Sequence, residues 1–269
     1  MSKAILRSKL FLPLILAGFG LGYLGSTVLS SSSKSERTVR VVNSTHSCAV
    51  LSAENHNGHL SVRLKNNNNK GITAFVFTSR IDAKTVFAFK EEFAFSEGNA
   101  VIAPGDSYDK VISIPGTLGR QREISLKLSA VFFGDKSSEG DSDTVRDVED
   151  NRLGEKLQLM KALTLLDKIY ALSEMDIGSY WSETARHDFQ VALDAPDTES
   201  LILLNNKTSN KEKPVVESEQ FKLGAQAGKE YVIQKYQELR EIQEKEGIPA
   251  LREGIIGVRD LYATMVTKF

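Results

Sequence analysis

Cysteine is almost missing from this chain of 269 residues. Cys48 stands alone, so no intramolecular disulfide can form in any redox compartment, and the fold must be held by packing. An excess of charge of one sign is missing too: 34 Lys and Arg balance 35 Asp and Glu. No whole-chain field therefore exists to attract nucleic acid or to demand a polycationic partner. The motifs of nucleotide and hydrolase chemistry are absent as well, since no P-loop, HExxH or GxSxG occurs. Gly20, Gly22 and Gly25 do spell GxGxxG. A dinucleotide site, however, needs a strand before the motif, a helix after it and an acidic residue about 20 positions on, and here the surroundings are an uncharged run. The expectation is a protein without catalytic residues, cofactor, nucleotide or nucleic acid.

One stretch lacks charge altogether. From Leu10 to Ser30 there is none, whereas Lys3, Arg7 and Lys9 precede it and the next charge is Lys34. Basic residues ahead of an apolar run hold the N-terminus on the cytoplasmic side. Residues 1–33 are thus expected to be a signal peptide or a retained transmembrane anchor, with the remaining chain outside the cytoplasm, in the periplasm or at the cell surface. The length leans toward an anchor, because about 20 residues span a bilayer and a signal-peptide core has about 7 to 15. The small residues from Gly25 to Ser33 suit a peptidase site or a juxtamembrane tether equally well. Gly18 and Gly22 have the spacing that lets membrane helices approach closely, though glycine is common in such helices for other reasons.

Residues 34–135 read as strands. Val41 and Val42 begin the first, and Cys48, Val50 and Leu51 fall in another. Leu60, Val62 and Leu64 alternate with Ser61, Arg63 and Lys65, the period of a half-buried strand. Asn66 to Gly71 reads as a hairpin loop. Ile72 to Thr78 is apolar at nearly every position, as expected of a strand covered on both faces. Val86 to Phe95 is interrupted by Lys90, Glu91 and Glu92, predicting two strands or a bent one. Pro104 and Gly105 supply a turn before Tyr108 to Ile114. Ile124, Leu126, Leu128, Ala130 and Phe132 then alternate with Ser125, Lys127 and Ser129, the plainest strand pattern in the chain. Six or seven short strands at this spacing predict an antiparallel sandwich.

The succession VRLKNNNNKGITAFVF, VIAPGDSYDKVISIP and the alternating last strand resembles the immunoglobulin-like or fibronectin-III-like modules of bacterial exported proteins. In those modules a strand, polar hairpin, strand unit precedes an I-x-PG-x-S turn. The whole chain looks like exported proteins of environmental bacteria that pair such a module with a helical tail. The resemblance implies an Ig-like β-sandwich and carries over no catalytic residue. The antibody hallmark of two bridged cysteines around a tryptophan is missing, because Trp181 lies outside the module.

Residues 136–151 read as an acidic linker and helix start, and residues 152–269 as a helical region; the fold class expected is α+β. Counting Asp141 and Asp143 as positions 1 and 3 of an EF-hand puts Val145, Arg146 and Arg152 where an oxygen ligand, Gly and Glu are required. Asp143 or Thr144 is expected to cap the helix instead, with a nonstandard cation site as the alternative. An apolar stripe from Val145 to Ile169 predicts a long helix, broken at Gly178 to Trp181. Phe221, Leu223, Ala227, Tyr231, Val232, Tyr236, Leu239 and Ile242 form a second stripe, ended by Gly247. Leu251, Ile255, Val258, Leu261, Tyr262 and Met265 form the return arm of a helical hairpin that packs on the first helix.

His46, Cys48, His56 and His59 form a soft-ligand cluster whose types suit zinc or copper but whose spacing matches no standard site. His187 stands with Glu183 and Asp188, without a nucleophile in a recognisable elbow. The function expected is that of a noncatalytic exported or membrane-anchored envelope protein, with the membrane as one partner through its leader and an envelope protein as another. The alternative is an exported metal protein or enzyme using the histidine cluster or the acidic loop.

Overall fold

The computed structural model describes residues 38–56, 58–81, 84–93, 101–116, 123–195 and 215–268. The leader expected over residues 1–33, and the apolar run Leu201 to Leu204, lie outside them. Within them the chain is α+β, two sheets followed by five helices. Among the described residues no helix is long and apolar enough to cross a membrane.

The larger sheet holds β1 (Thr38–Asn43), β4 (Ile72–Ile81), β5 (Lys84–Glu92), β7 (Glu123–Phe133) and the short β8 (Ser138–Gly140), in the order β1-β7-β4-β5 with β8 on β7. The smaller sheet is β2 (Cys48–His56), β3 (His59–Asn66) and β6 (Ser107–Ser113), in the order β2-β3-β6. One core takes side chains from both sheets: Leu60, Val62, Leu64 and Ile112 from the smaller, Phe75, Phe77, Ile124, Leu126 and Leu128 from the larger. Rings meet across it, Phe75 of β4 against Tyr108 of β6 at 6.0 Å between centroids. Edge-on contacts of this kind add to the stabilisation from burial alone.

Within the sheets, three features depart from the reading of the sequence. First, Asn66 to Gly71 is no hairpin loop: β3 and β4 belong to different sheets, so the segment carries the chain across the core. Asn66 is itself buried, and its amide donates to the Lys70 and Ile102 carbonyls at 2.7 and 2.8 Å. Second, the pairing is not wholly antiparallel, because β1 runs parallel to β7 along Glu123–Leu128. β8 takes over the same edge antiparallel along Ala130–Phe132. Third, the β7 alternation is not continuous. A register shift opposite Val76 and Phe77 leaves Ser129 as an extra residue, and a bulge of that kind swaps the faces beyond it. Ile124, Leu126 and Leu128 therefore point into the shared core, as do Val131 and Phe133, while Ala130 and Phe132 turn outward with Ala74 and Val76. The expected double coverage of β4 is realised by this outward patch.

The patch is covered by α1 (Ser142–Tyr170), whose Val145 and Val148 pack on it. Asp141 caps this helix, accepting from the Thr144 N–H at 3.2 Å, so the cap is neither of the two expected, Asp143 and Thr144, but lies ahead of both. The helix then runs on into a second core, to which it gives Leu159, Ala162, Leu166 and Ile169. The helix break falls at Ala171–Ser173 rather than at Gly178 to Trp181. Ser173 caps α2 (Glu174–Glu183), and Gly178 lies inside that helix. α3 (Ala185–Asp194) buries Ala185, Phe189 and Leu193 at helical spacing.

The helical hairpin is α4 (Glu219–Glu246) and α5 (Ile248–Lys268), joined through Gly247 at φ 85°, a left-handed angle that favours glycine. Tyr231 against Tyr262, and Leu239 against Gly254, fix the arms as antiparallel. α4 meets α1 side by side and parallel, Gly224 on Asn151 and Gly228 on Glu155. A Cβ at Gly224 would collide with the Asn151 carbonyl, and one at Gly154 with the Phe221 carbonyl. Glycine is what brings the two backbones this close. The buried face of α4 consequently runs through Gly224 and Gly228, and Leu223, assigned to the stripe from hydropathy, is exposed.

Candidate functional site

The structure divides the histidine and cysteine cluster in two. β2 pairs with β3 so that His56 faces His59 across the turn that carries Gly58 at φ 87°. Cys48 lies at the far end of the same strand, about 26 Å away at 3.3 Å per residue, where it pairs with Asn66. Cys48 is buried and its thiol is pushed up to about 12, by burial first and by the nearby Glu139 carboxylate second. That is a packing cysteine, not a thiolate ligand. His46 gives its backbone N–H to Glu139 at 3.1 Å. At the tip, His56 Nε2 is 2.9 Å from Glu54 Oε2 and His59 Nδ1 is 3.4 Å from the Ser113 hydroxyl. Among the described residues no three His, Cys, Asp or Glu side chains are grouped so as to hold a metal ion.

The acidic segment is consumed by structure. Asp135 pairs with Lys70 at 2.6 Å; that bond, with help from Ser137, holds its carboxyl at about 2. Glu139 accepts from the Ser47 hydroxyl and from the Ser47 and His46 N–H groups, tying β8 to the turn before β2. Burial opposes its charge, but these donors outweigh burial and keep its carboxyl below the ordinary range. Asp141 caps α1 and pairs with Lys127 at 3.0 Å. His187 is exposed, and Asp188 accepts instead from the Tyr180 hydroxyl at 2.7 Å.

A buried polar grouping lies elsewhere, along the seam between β5, α1 and α4. The alternation of β5 sends Phe89 and Glu91 toward the shared core and Lys90 and Glu92 toward α1. Glu91 pairs with Lys110 of β6 at 2.6 Å. Lys90 donates to Asn151 Oδ1 at 2.7 Å, and Asn151 passes the link on by donating to the Gln220 carbonyl at 3.3 Å. Arg152 makes a two-pronged bond to Glu92 at 2.9 and 3.0 Å, with side chains 13% and 8% exposed, and lies 4.5 Å over the Phe132 ring.

One turn further along α1, Glu155 and Gln158 are 7% and 6% exposed, and Glu155 Oε2 and Gln158 Oε1 have no hydrogen-bond partner. Burial pushes the Glu155 carboxyl up to about 7, with Lys90 and Arg152 opposing the rise and Glu92 adding to it. Chemically the seam can lock helix to sheet and take up a proton near neutrality. Hydropathy reading passes over it, because polar residues inside apolar runs look like interruptions. The spacing Asn151, Glu155, Gln158 on one helical face, together with Lys90 and Glu92 on one strand face, is the signal that could have found it.

Compared with protein-family models, with curated proteins and with solved structures, the chain gives no match to any of them.

Proposed function

We propose that this is a noncatalytic cell-envelope protein that works outside the cytoplasm, carried or anchored there by Leu10 to Ser30, and that it acts by binding another envelope component. The observation that carries the reading is the leader itself, an uncharged run directly behind Lys3, Arg7 and Lys9. The body is proposed to be an Ig-like β-sandwich with a helical tail. Its strand order supports this. With β2 to β8 lettered A to G, β2, β3 and β6 become A, B and E in one sheet, while β4, β7 and β8 become C, F and G in the other, as in immunoglobulin-type folds. β5 then pairs with C, at the outer edge of the CFG sheet.

The side chains also favour contact over turnover. The acidic residues of the β8 region serve as caps and ion-pair partners, and the seam charges bind helix to sheet. Val111 on β6 and Leu51, the bulged residue of β2, remain 62% and 52% exposed and give the smaller sheet apolar contact points.

Protease added to spheroplasts with sealed inner membranes tests the location: digestion of the body is expected, and full protection until the membrane is lysed would overturn the proposal. Crosslinking in intact envelopes is expected to trap a partner at Val111 or Leu51.

A further inference from the structure

We propose that the tip of the β2–β3 hairpin is a two-histidine chelating site for a borderline divalent metal ion of the Cu(II), Ni(II), Zn(II) group. The inference is independent of the envelope reading. It rests on a juxtaposition that the fold creates: His56 and His59 are facing partners across the turn. Facing side chains on antiparallel strands have Cβ atoms about 4.5 to 5.5 Å apart, close enough for two imidazoles to share one ion. Both rings are exposed, so neither has to be drawn out of the core to do so.

The second observation concerns the nitrogens that remain. His56 Nε2 lies 2.9 Å from the Glu54 carboxylate, which can only accept, so Nδ1 carries the lone pair of the neutral ring; His59 Nδ1 lies 3.4 Å from the Ser113 hydroxyl, which can donate or accept, so this contact positions the ring and either of its nitrogens can bind. Ligating histidines characteristically give their second ring N–H to a carboxylate, carbonyl or hydroxyl oxygen, which sets the tautomer and raises ligand basicity. Glu54 is thus an orienting partner rather than a third ligand, and water completes the coordination. That assignment fits the lack of a three-ligand grouping among the described residues. Imidazole donors favour Cu(II) over its neighbours in the first row. His46 and Cys48, at the opposite end of β2, take no part.

The test is titration of the full-length chain, purified in detergent without a histidine tag, with Cu(II) in the presence of excess glycine to strip weakly held ions. One equivalent is expected to bind, with the magnetic-resonance signature of two coordinated imidazole nitrogens. His56→Ala and His59→Ala should each weaken it by about tenfold or more, and Glu54→Gln by less. His46→Ala and His187→Ala should leave it unchanged. The proposal is overturned by a signature of fewer than two imidazoles, by equal losses in the His187→Ala chain, or by binding that survives the double substitution, which would mean adventitious metal only. The nitrogen count on the unsubstituted chain decides the matter even if a variant folds poorly.

Discussion

Glu155 ties one proton to the stability of the fold. Its carboxyl moves from an ordinary value of 4.5 to about 7 in the folded chain, mainly through burial. A folded-state value above the unfolded one means that the native form holds its proton more tightly. The associated stability is present in full below pH 4.5, declines as pH rises, and is gone above about 7. The size of the effect is on the order of 3 kcal/mol. Glu155→Gln removes the charge that must otherwise be buried. Urea midpoints are therefore expected to rise relative to the parent at pH 8 and to match it at pH 4, and equal midpoints at pH 8 would contradict this account of the seam. This residue is not legible in the sequence, where a glutamate in a long helix reads as part of the solvated face. Only the approach of Gly228, which puts α4 over Glu155, turns that face inward. The pairing of His56 with His59 is half legible: the turn at Gly58 suggests it, whereas the separation from Cys48 needs the strand register.

At the scale of elements, the contact of α1 with α4 depends on the lack of a side chain at Gly224. Gly224→Ala sets a methyl group against the Asn151 backbone, which no rotamer change can relieve. A loss of about 2 to 3 kcal/mol is expected in chemical unfolding. At Gly257 of α5 an added methyl group would meet nothing within 4 Å, so Gly257→Ala should stabilise by about 0.5 to 1 kcal/mol through the unfolded state. Opposite signs for two identical substitutions identify the close approach as the cause, and like signs would refute it. Strands and long helices are largely readable, because period-two and period-3.6 burial each leave a pattern. β8 is not, since Ser138, Glu139 and Gly140 carry no hydropathy and pair only because β1 leaves that part of the β7 edge free. Nor is the flip at Ser129, because Ala130 to Phe133 is apolar at every position and hydropathy does not tell which of those side chains face the shared core. The Asn66 to Asn69 run reads correctly as a connection and wrongly as a hairpin, because turn chemistry does not say which sheet the next strand joins.

Across the whole molecule, α1 is the shared beam. At 1.5 Å per residue its length is about 43 Å, with one end on the outer face of the larger sheet and the other in the helical core. Arg152 and Lys90 fasten it where the two regions meet. Arg152→Ala withdraws a guanidinium from both Glu92 and the Phe132 ring, and should cost about 3 kcal/mol or more, as for a buried ion pair. A loss under about 1 kcal/mol, the scale of a surface pair, would show that sheet and helices are not joined there.

The proposed location outside the cytoplasm rests on the uncharged run from Leu10 to Ser30 behind Lys3, Arg7 and Lys9. The measurement that bears most directly on the central claim is therefore a pair of fusions after Phe269, one to a reporter active only outside the cytoplasm and one to a reporter active only within it. The account predicts activity from the first and silence from the second, with the pattern reversed when residues 1–33 are removed. Activity of the cytoplasmic reporter alone on the full-length chain would contradict it.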